Sequence, residues 1–165
     1  MILGMSYFTF AHVVVSLIGI LTGLVVLSGF LGGQQRSGWA TWFLITTVAT
    51  SVSGFFFPFH GFTPAIGVGI LSLVILAAVI AALYSFHLAG PWRWIYVCGS
   101  VAALYFNVFV LVVQSFLKVP SLHALAPKGS EPPFAATQGV VLVLFIVAGV
   151  LSVRRFHPVR AQSPT

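Results

Sequence analysis

Long apolar stretches, separated by short polar segments, follow one another along most of the chain. A transmembrane helix needs about 20 mainly apolar residues. Five stretches come near that length, at about residues 7–31, 40–57, 63–88, 94–117 and 135–153. This pattern predicts an all-α fold, a polytopic transmembrane bundle of about five spans. The second stretch, which is short and rich in Thr and Ser, and the fifth are the weakest, so a four-span bundle with one helix flat or buried is an alternative.

Glycine, proline and polar residues mark the boundaries between these stretches. The first stretch ends in GGQQRSG, and AGPWRW separates the third from the fourth, with Pro91 breaking the helix and two tryptophans suited to the membrane interface. Residues 118–134 are expected to form a proline-rich outer loop, and residues 154–165 a basic tail. The first stretch lacks preceding Lys or Arg and an A-x-A-like cleavage site, so we expect a membrane helix there and not a secretory signal.

The composition supports the membrane assignment. Hydrophobic residues make up 59% of the chain and charged residues 5%, with a mean hydropathy of +1.12, whereas soluble domains carry about 25% charged residues. Disordered chains are poor in apolar residues, so disorder is excluded as well. The net charge of +6 comes from seven basic residues spread over the whole length, which form no stripe that could track nucleic-acid phosphates. The lipid bilayer is therefore the expected partner, and nucleic acid is not.

The basic residues predict the orientation of the bundle. With five spans, one side carries Lys118 and Lys128. The other side carries five arginines: Arg36, Arg93, Arg154, Arg155 and Arg160. Because Lys and Arg are in excess on the cytoplasmic side of membrane proteins, the N-terminus is expected outside and the C-terminus in the cytoplasm. The proline-rich loop and the turn FFFPFHGFTP then share the outer face.

Histidines supply the first candidate chemistry. His12, His60 and His123 lie on the predicted outer side together with Glu131, the one acidic residue of the chain. Two facing imidazoles could bind a b-type haem, and His60, His123 and Glu131 together have the ligand types of a zinc-like metal site. Neither set has a diagnostic spacing. His60 is also explained without a ligand, as a residue that tolerates water in the turn between two helices.

Polar residues inside the fourth predicted span form a second candidate site. Asn107 and Gln114 are seven residues apart, two turns along one helix face, and Lys118 continues the line. Unpaired amides are costly in hydrocarbon, so this face is expected to point into the bundle. It could form interhelical hydrogen bonds, or bind a quinone, a haem edge or a small polar solute. The candidate cofactor residues are thus His12, His60, Asn107 and Gln114, with haem as the candidate cofactor.

Groups that catalysis and ion transport commonly use are missing from the sequence. No acidic residue lies inside a predicted span, and no P-loop, dinucleotide fingerprint, zincin helix or GxSxG motif occurs. Cys98 is the single cysteine, which leaves no disulfide and no cysteine-based metal motif. We therefore expect a non-catalytic binding or accessory protein for a membrane partner or a lipophilic ligand. A haem- or quinone-binding redox protein and an oligomeric small-solute carrier or pore are the alternatives.

Small residues four positions apart favour close packing of helices. Such pairs within predicted spans include Gly19 with Gly23, Ala77 with Ala81, and Gly99 with Ala103. These pairs indicate packing inside the bundle. They also leave open a homo-oligomer or a complex with another membrane protein.

Two longer stretches carry a resemblance to a known family. TSVSGFFFPFHGFTPAIGVGILSL at residues 50–73 and NVFVLVVQSFLKVPSLHALAPKGSEPPF at residues 107–134 resemble a family of small multi-span bacterial membrane proteins, most of them hypothetical proteins. The resemblance covers most of the chain apart from the tail. It implies a helical bundle in a bacterial inner membrane and transfers no catalytic residue.

Overall fold

The structure, a computed structural model, describes residues 6–58 and 64–157. The described residues are all-helical and contain no strand, which confirms the predicted all-α fold. The helices are α1 (Tyr7–Leu31), α2 (Ser37–Gly54), α3 (Pro64–Ile80), α4 (Trp92–Lys118), α5 (Pro120–Leu125) and α6 (Pro132–Arg155). A π-helical turn at Ala81–Ser85 directly extends α3.

Four helical segments in the described part of the chain are long and apolar enough to cross a membrane, which is what a membrane protein requires. They are Tyr7–Leu31, Ala65–Ser85, Trp92–Lys118 and Pro132–Arg155. The remaining long helix, α2, has 18 residues, and seven of them are Ser or Thr. These hydroxyl side chains lower its hydropathy relative to the other four segments.

Helices α1 to α4 pack as a ring, in which each helix contacts the next and α4 closes against α1. The fully buried side chains of α4, including Tyr96, Val97 and Leu104, fill the middle of this ring. Helix α6 packs on the outer side of α4 and touches α1. It contributes only Ser152 to the buried residues, so most of its apolar surface faces away from the bundle.

A glycine sets the distance between α1, α2 and α4. A Cβ atom placed on Gly23 would lie 2.6 Å from Leu104 Cδ1 and 2.8 Å from Phe43 Cε2. Both neighbours are 1% exposed, so neither can move aside. Only glycine allows this approach, and Gly99 has the same relation to Val79 where α4 meets α3.

The described arginines gather at one end of the bundle. The alkyl carbons of Arg36 lie beside Gly29 near the end of α1, and Arg155 Nη1 lies 3.5 Å from the carbonyl oxygen of Leu31. Arg93, at the start of α4, reaches the last turn of α6, where Arg154 is also placed. We call this end the arginine end. The opposite end, where α1 begins and α2 finishes, is the histidine end, because it holds His12.

An unusual connection joins α3 to α4 at the arginine end. The π-helical turn is followed by His87 and Leu88, which have φ angles of 48° and 58°, a left-handed conformation that only glycine adopts without strain. The backbone N–H of Leu88 donates to the carbonyl of Ala82 at 2.9 Å. The Phe86 ring stacks on Trp92, with 3.7 Å between ring centroids and 2° between planes.

The predicted proline-rich loop is partly helical. Helix α5 occupies Pro120–Leu125, with a proline at its first turn, where a missing N–H costs nothing. Ala126, directly after α5, is 1% exposed. Phe134 packs edge-on against Phe116, with ring centroids 5.4 Å apart. The loop therefore packs on the histidine end of the bundle.

Candidate functional site

His12 connects α1 to α2 at the histidine end. Its Nδ1 lies 2.8 Å from Ser53 Oγ, and the Ser53 hydroxyl donates to the Thr50 carbonyl at 3.1 Å. In the tautomer that carries its proton on Nδ1, Nδ1–H donates to Ser53 Oγ, and the His12 Nε2 lone pair has no hydrogen bond among the described residues. The ring also packs edge-on against Phe57 at 5.0 Å. Nε2 is thus the atom of His12 that could bind a haem iron.

Asn107 connects α4 to α2 deeper in the bundle. Its Nδ2 donates to Thr47 Oγ1 at 3.3 Å, and Thr47 is completely buried. Gly19 of α1 faces this pair, because a Cβ atom there would lie 3.4 Å from Thr47 Oγ1 and 3.5 Å from Asn107 Nδ2. The three helices therefore meet around one interhelical hydrogen bond, which is the structural role considered for Asn107 from the sequence.

Most hydroxyls of α1 and α2 bond within their own helix. Ser16 donates to the His12 carbonyl at 2.7 Å, and Thr46 donates to the Trp42 carbonyl at 2.7 Å. Such bonds satisfy a hydroxyl in an apolar environment without a partner helix. Thr50 Oγ1 and Ser100 Oγ are shielded from solvent and have no hydrogen-bond partner among the described residues.

Gln114 does not share the environment of Asn107. Both Gln114 and Lys118 are exposed, whereas Asn107 is half-buried. The expectation that this whole face points into the bundle is therefore wrong for its last two turns. In these turns α4 buries Phe116, which packs against Phe134, and Gln114 and Lys118 lie on the other side of the helix.

The predicted metal ligands are not assembled among the described residues. His60 lies outside the described part of the chain. His123 is exposed on α5, and no group of three His, Cys, Asp or Glu side chains that could hold a metal ion occurs within the described residues. The metal hypothesis, like the pairing of His12 with His60 around a haem, stays a prediction.

Glu131 has a local structural role. Its carboxylate accepts from the backbone N–H of Lys128 at 2.9 Å and of Ser130 at 3.0 Å, directly before α6. These N–H groups, that of Lys128 first, hold the pKa of Glu131 below its ordinary value. The charge also lies at a helix N-terminus, where a negative charge is favoured. Glu131 thus fixes the start of α6.

An apolar groove runs along the outer side of the bundle between α4 and α6. It has a volume of about 240 Å³. Its walls are formed by Cys98, Val101, Ala102 and Tyr105 of α4, and by Leu142, Phe145, Ile146 and Gly149 of α6. Apart from the Cys98 thiol and the Tyr105 hydroxyl, these side chains offer no polar group. The groove is therefore suited to an apolar ligand.

Small side chains create this groove. Cys98 and Ala102 are one turn apart on α4, and Gly149 faces them from α6, where a Cβ atom would lie 3.5 Å from Val101 Cγ1. The large Tyr105 and Phe145 rings, with centroids 5.7 Å apart, close the groove toward the middle of the helices. The sequence did not reveal this site, because its signal depends on which faces of α4 and α6 meet.

Arg93 lies one helical turn beyond the groove, toward the arginine end. Its Nη1 donates to the Val153 carbonyl at 3.2 Å and to the Phe156 carbonyl. These carbonyls end α6, so the arginine caps that helix and ties it to α4. The guanidinium also lies over the Trp94 ring, 5.2 Å from its centroid.

Gln138 is a further polar residue within α6 that sequence reasoning missed. Its Nε2 donates to the Phe109 carbonyl of α4 at 3.2 Å, while its shielded Oε1 has no hydrogen-bond partner among the described residues. A lone amide in the apolar run PPFAATQGVVLVLF was the available signal. Gln138 and Arg93 thus join α6 to α4 on either side of the groove.

No family model, no curated protein and no solved structure matches this chain.

Proposed function

We propose that this protein is a non-catalytic membrane protein that binds a slender lipophilic ligand in the groove between α4 and α6. The observation that carries the proposal is the groove itself, an open apolar space of about 240 Å³, whereas glycines close the contact of α1, α2 and α4 and that of α3 with α4. Small-molecule pockets usually have about 300–1,000 Å³. The volume of the groove favours a single hydrocarbon chain over a haem macrocycle.

The length of the groove also fits a hydrocarbon chain. Cys98 and Tyr105, at its two ends, are separated by about 10 Å along α4 at a rise of 1.5 Å per residue. One leaflet of the hydrocarbon core is about 15 Å thick. A ligand in the groove would therefore lie within one leaflet, parallel to the neighbouring lipid chains.

The direct test is native mass spectrometry of the full chain released from a mild detergent. We expect wild-type protein to carry an apolar adduct, and Gly149→Leu to lose it, because the new side chain enters the groove. Gly139→Leu is the matched control, since a Cβ atom on Gly139 meets nothing within 4 Å. Ala102→Phe fills the groove from α4 and provides a second variant. Retention of the adduct by both groove-filling variants would contradict the proposal.

For the topology, we propose that α2 crosses the membrane beside α1, so that the protein has five spans in a bacterial inner membrane. Helix α2 contacts α1 and α3 along the ring. The arginine end is then cytoplasmic, because basic residues are in excess there. A reporter that is active only in the cytoplasm should give signal when fused to the C-terminus. Silence of a stably expressed fusion would overturn this topology.

A second candidate function, binding of another membrane protein, is favoured by the outward face of α6. Its exposed residues Ala136, Val140, Val143, Val147 and Val150 recur with the 4-3 spacing of helices that pack side by side. In a Cys98→Ala background, Val143→Cys should form disulfide-linked products in membranes. Leu142→Cys, which faces the groove, is the control. Equal crosslinking at both positions would argue against a specific helix contact.

A further inference from the structure

The Arg93 guanidinium lies one helical turn beyond the groove, over the Trp94 ring and beside the Val153 carbonyl, and part of its hydrogen-bonding capacity has no partner among the described residues. Arginine has five N–H donors. The two on Nη1 go to the Val153 and Phe156 carbonyls, and the remaining three, on Nε and Nη2, have no partner in the described part of the chain. That free edge has the fork geometry that binds two oxygens of a phosphate. Because the carbonyl bonds fix the group, little side-chain entropy is lost on binding.

The arginine end lacks acidic side chains that could neutralise Arg93. The chain contains one acidic residue, Glu131, which lies at the histidine end, before α6 begins. Arg154 and Arg155 lie at the end of α6, close to the Val153 carbonyl that Arg93 contacts, and Arg154 forms no hydrogen bond or ion pair among the described residues. An anion at this end would therefore be attracted by several positive charges and repelled by no carboxylate side chain.

The distance between the arginine and the bottom of the groove matches one lipid leaflet. From Trp94, which packs beneath the guanidinium, to Tyr105 the rise along α4 is about 16 Å. The hydrocarbon part of a leaflet is about 15 Å thick. Trp94 is half-exposed, as suits a tryptophan at the level of the lipid headgroups.

We propose that the ligand of the groove is a phospholipid with an anionic headgroup, whose phosphate binds the Nε and Nη2 edge of Arg93 and whose acyl chain occupies the groove. This inference rests on the proposed function and adds the chemical class of the ligand. The lipid-facing opening of the groove lets an acyl chain enter sideways from the bilayer. The groove selects hydrocarbon, and the arginine selects the headgroup.

The experiment compares phosphatidylglycerol with phosphatidylcholine of the same acyl chains, titrated into delipidated full-chain protein and counted by native mass spectrometry. We expect wild-type protein to prefer phosphatidylglycerol, and Arg93→Gln to reduce that preference roughly tenfold, as for the loss of hydrogen bonds to a charged group. Arg36→Gln removes the same charge at the same end, away from the groove, and should change the preference little. An unchanged preference in Arg93→Gln, or an equal loss in Arg36→Gln, would overturn the headgroup assignment.

Two further variants and one competition measurement distinguish failure of the headgroup assignment from failure of the groove assignment. Arg93→Lys preserves the positive charge but not the forked guanidinium, so it should lose most of the preference for phosphatidylglycerol. It also serves as the second variant, which tests the headgroup assignment where Arg93→Gln does not fold. Gly149→Leu should lose both lipids, and if it binds both as wild type does, the groove itself is wrong whatever the headgroup result. Inorganic phosphate at millimolar concentration should not displace phosphatidylglycerol. Displacement by phosphate alone would mean an anion site without an acyl chain, and would contradict the proposal.

Discussion

The contact between α1, α2 and α4 differs sharply from the contact between α4 and α6, although both bury the same central helix. Where α1, α2 and α4 meet around Ser100, the space left between them does not admit a water molecule. Between α4 and α6, a groove of about 240 Å³ remains open. In lipid there is no hydrophobic drive to bring helices together, so close packing and hydrogen bonds decide where they meet.

Glycine has a different consequence in each contact. Gly23 lies between two large side chains that are fixed, and its missing side chain permits contact. Gly149 lies opposite small residues, and its missing side chain leaves space. The contrast shows that a glycine in a membrane helix can either close an interface or open a site, depending on the size of what it faces.

The largest effect is expected from Gly23→Val, the variant that breaks the tight contact. The added atoms overlap Leu104 and Phe43, which cannot move, so we expect a loss of about 3 kcal/mol in the free energy of unfolding. Gly149→Ala is the control, because its Cβ atom only reaches ordinary contact with Val101, and it should change stability by less than about 0.5 kcal/mol. Unfolding of detergent-solubilised protein, followed by circular dichroism, measures both. Similar losses for the two variants would mean that the contacts do not differ as described.

A variant in the connection between α3 and α4, which belongs to neither of the two helix contacts, is expected to stabilise the protein, whereas Gly23→Val destabilises it. His87→Gly should stabilise the protein by about 1 kcal/mol, because glycine adopts the left-handed conformation without strain. Gly90→Ala, also at a positive φ, should destabilise it by a similar amount. The same unfolding measurement applies, and opposite signs for the two variants are the required result.

A smaller effect on the free energy of unfolding is expected at Asn107, and none at Gln114, the exposed amide two turns further along α4. Asn107→Leu removes the hydrogen bond to Thr47 and should cost about 0.6 kcal/mol, the average for interhelical hydrogen bonds in membrane proteins. Gln114→Leu replaces an exposed amide and should cost nothing measurable or stabilise slightly. A larger cost for Gln114→Leu than for Asn107→Leu would place the polar contact of α4 near Gln114 instead.

The smallest effect concerns the start of α6 and depends on pH. Because the pKa of Glu131 is lower in the folded protein than its ordinary value of 4.5, the carboxylate stabilises the fold above that value, and this contribution is lost as the pH falls through the folded-state pKa. Glu131→Gln should therefore flatten the acid side of the stability profile and leave stability at pH 7 slightly lower. Unfolding curves between pH 3 and pH 7 test this, and identical pH profiles for the two proteins would contradict it.

The sequence predicted the class of the fold because lipid as a solvent leaves a strong signal. Runs of about 20 apolar residues required helices, and the low hydropathy of α2 was visible in its hydroxyl residues. The inward position of Asn107 was also accessible, since an amide in hydrocarbon needs a partner. The same rule gave the wrong position for Gln114, because it does not say which side of α4 is buried near the end of the helix, where Phe116 is the buried residue.

The groove and the role of Arg93 could not be predicted in this way. Both depend on the packing of α6 against α4, two helices that are separated in sequence by α5 and a loop. Every groove residue except Tyr105 and Cys98 is an apolar residue of the kind that also faces lipid, so the sequence does not single it out. The basic residues at the arginine end were recognised only as a signal of orientation. That Arg93 bonds to the end of α6 through Nη1, with its other edge unpartnered among the described residues, is a property of three-dimensional contacts alone.

The π-helical turn at the end of α3 makes the connection to α4 sensitive to chain length. Such a turn contains one residue more than an α-helical turn over the same rise. Deleting one residue within Ala81–Ser85 would narrow this segment to an ordinary α-helical turn and move the side chains around the deletion. The Tyr84 hydroxyl would then lose its 2.9 Å contact with Thr41 of α2, and Phe86 would no longer stack on Trp92. The extra residue therefore places Tyr84 and Phe86 against their partners at the point where the chain turns into α4.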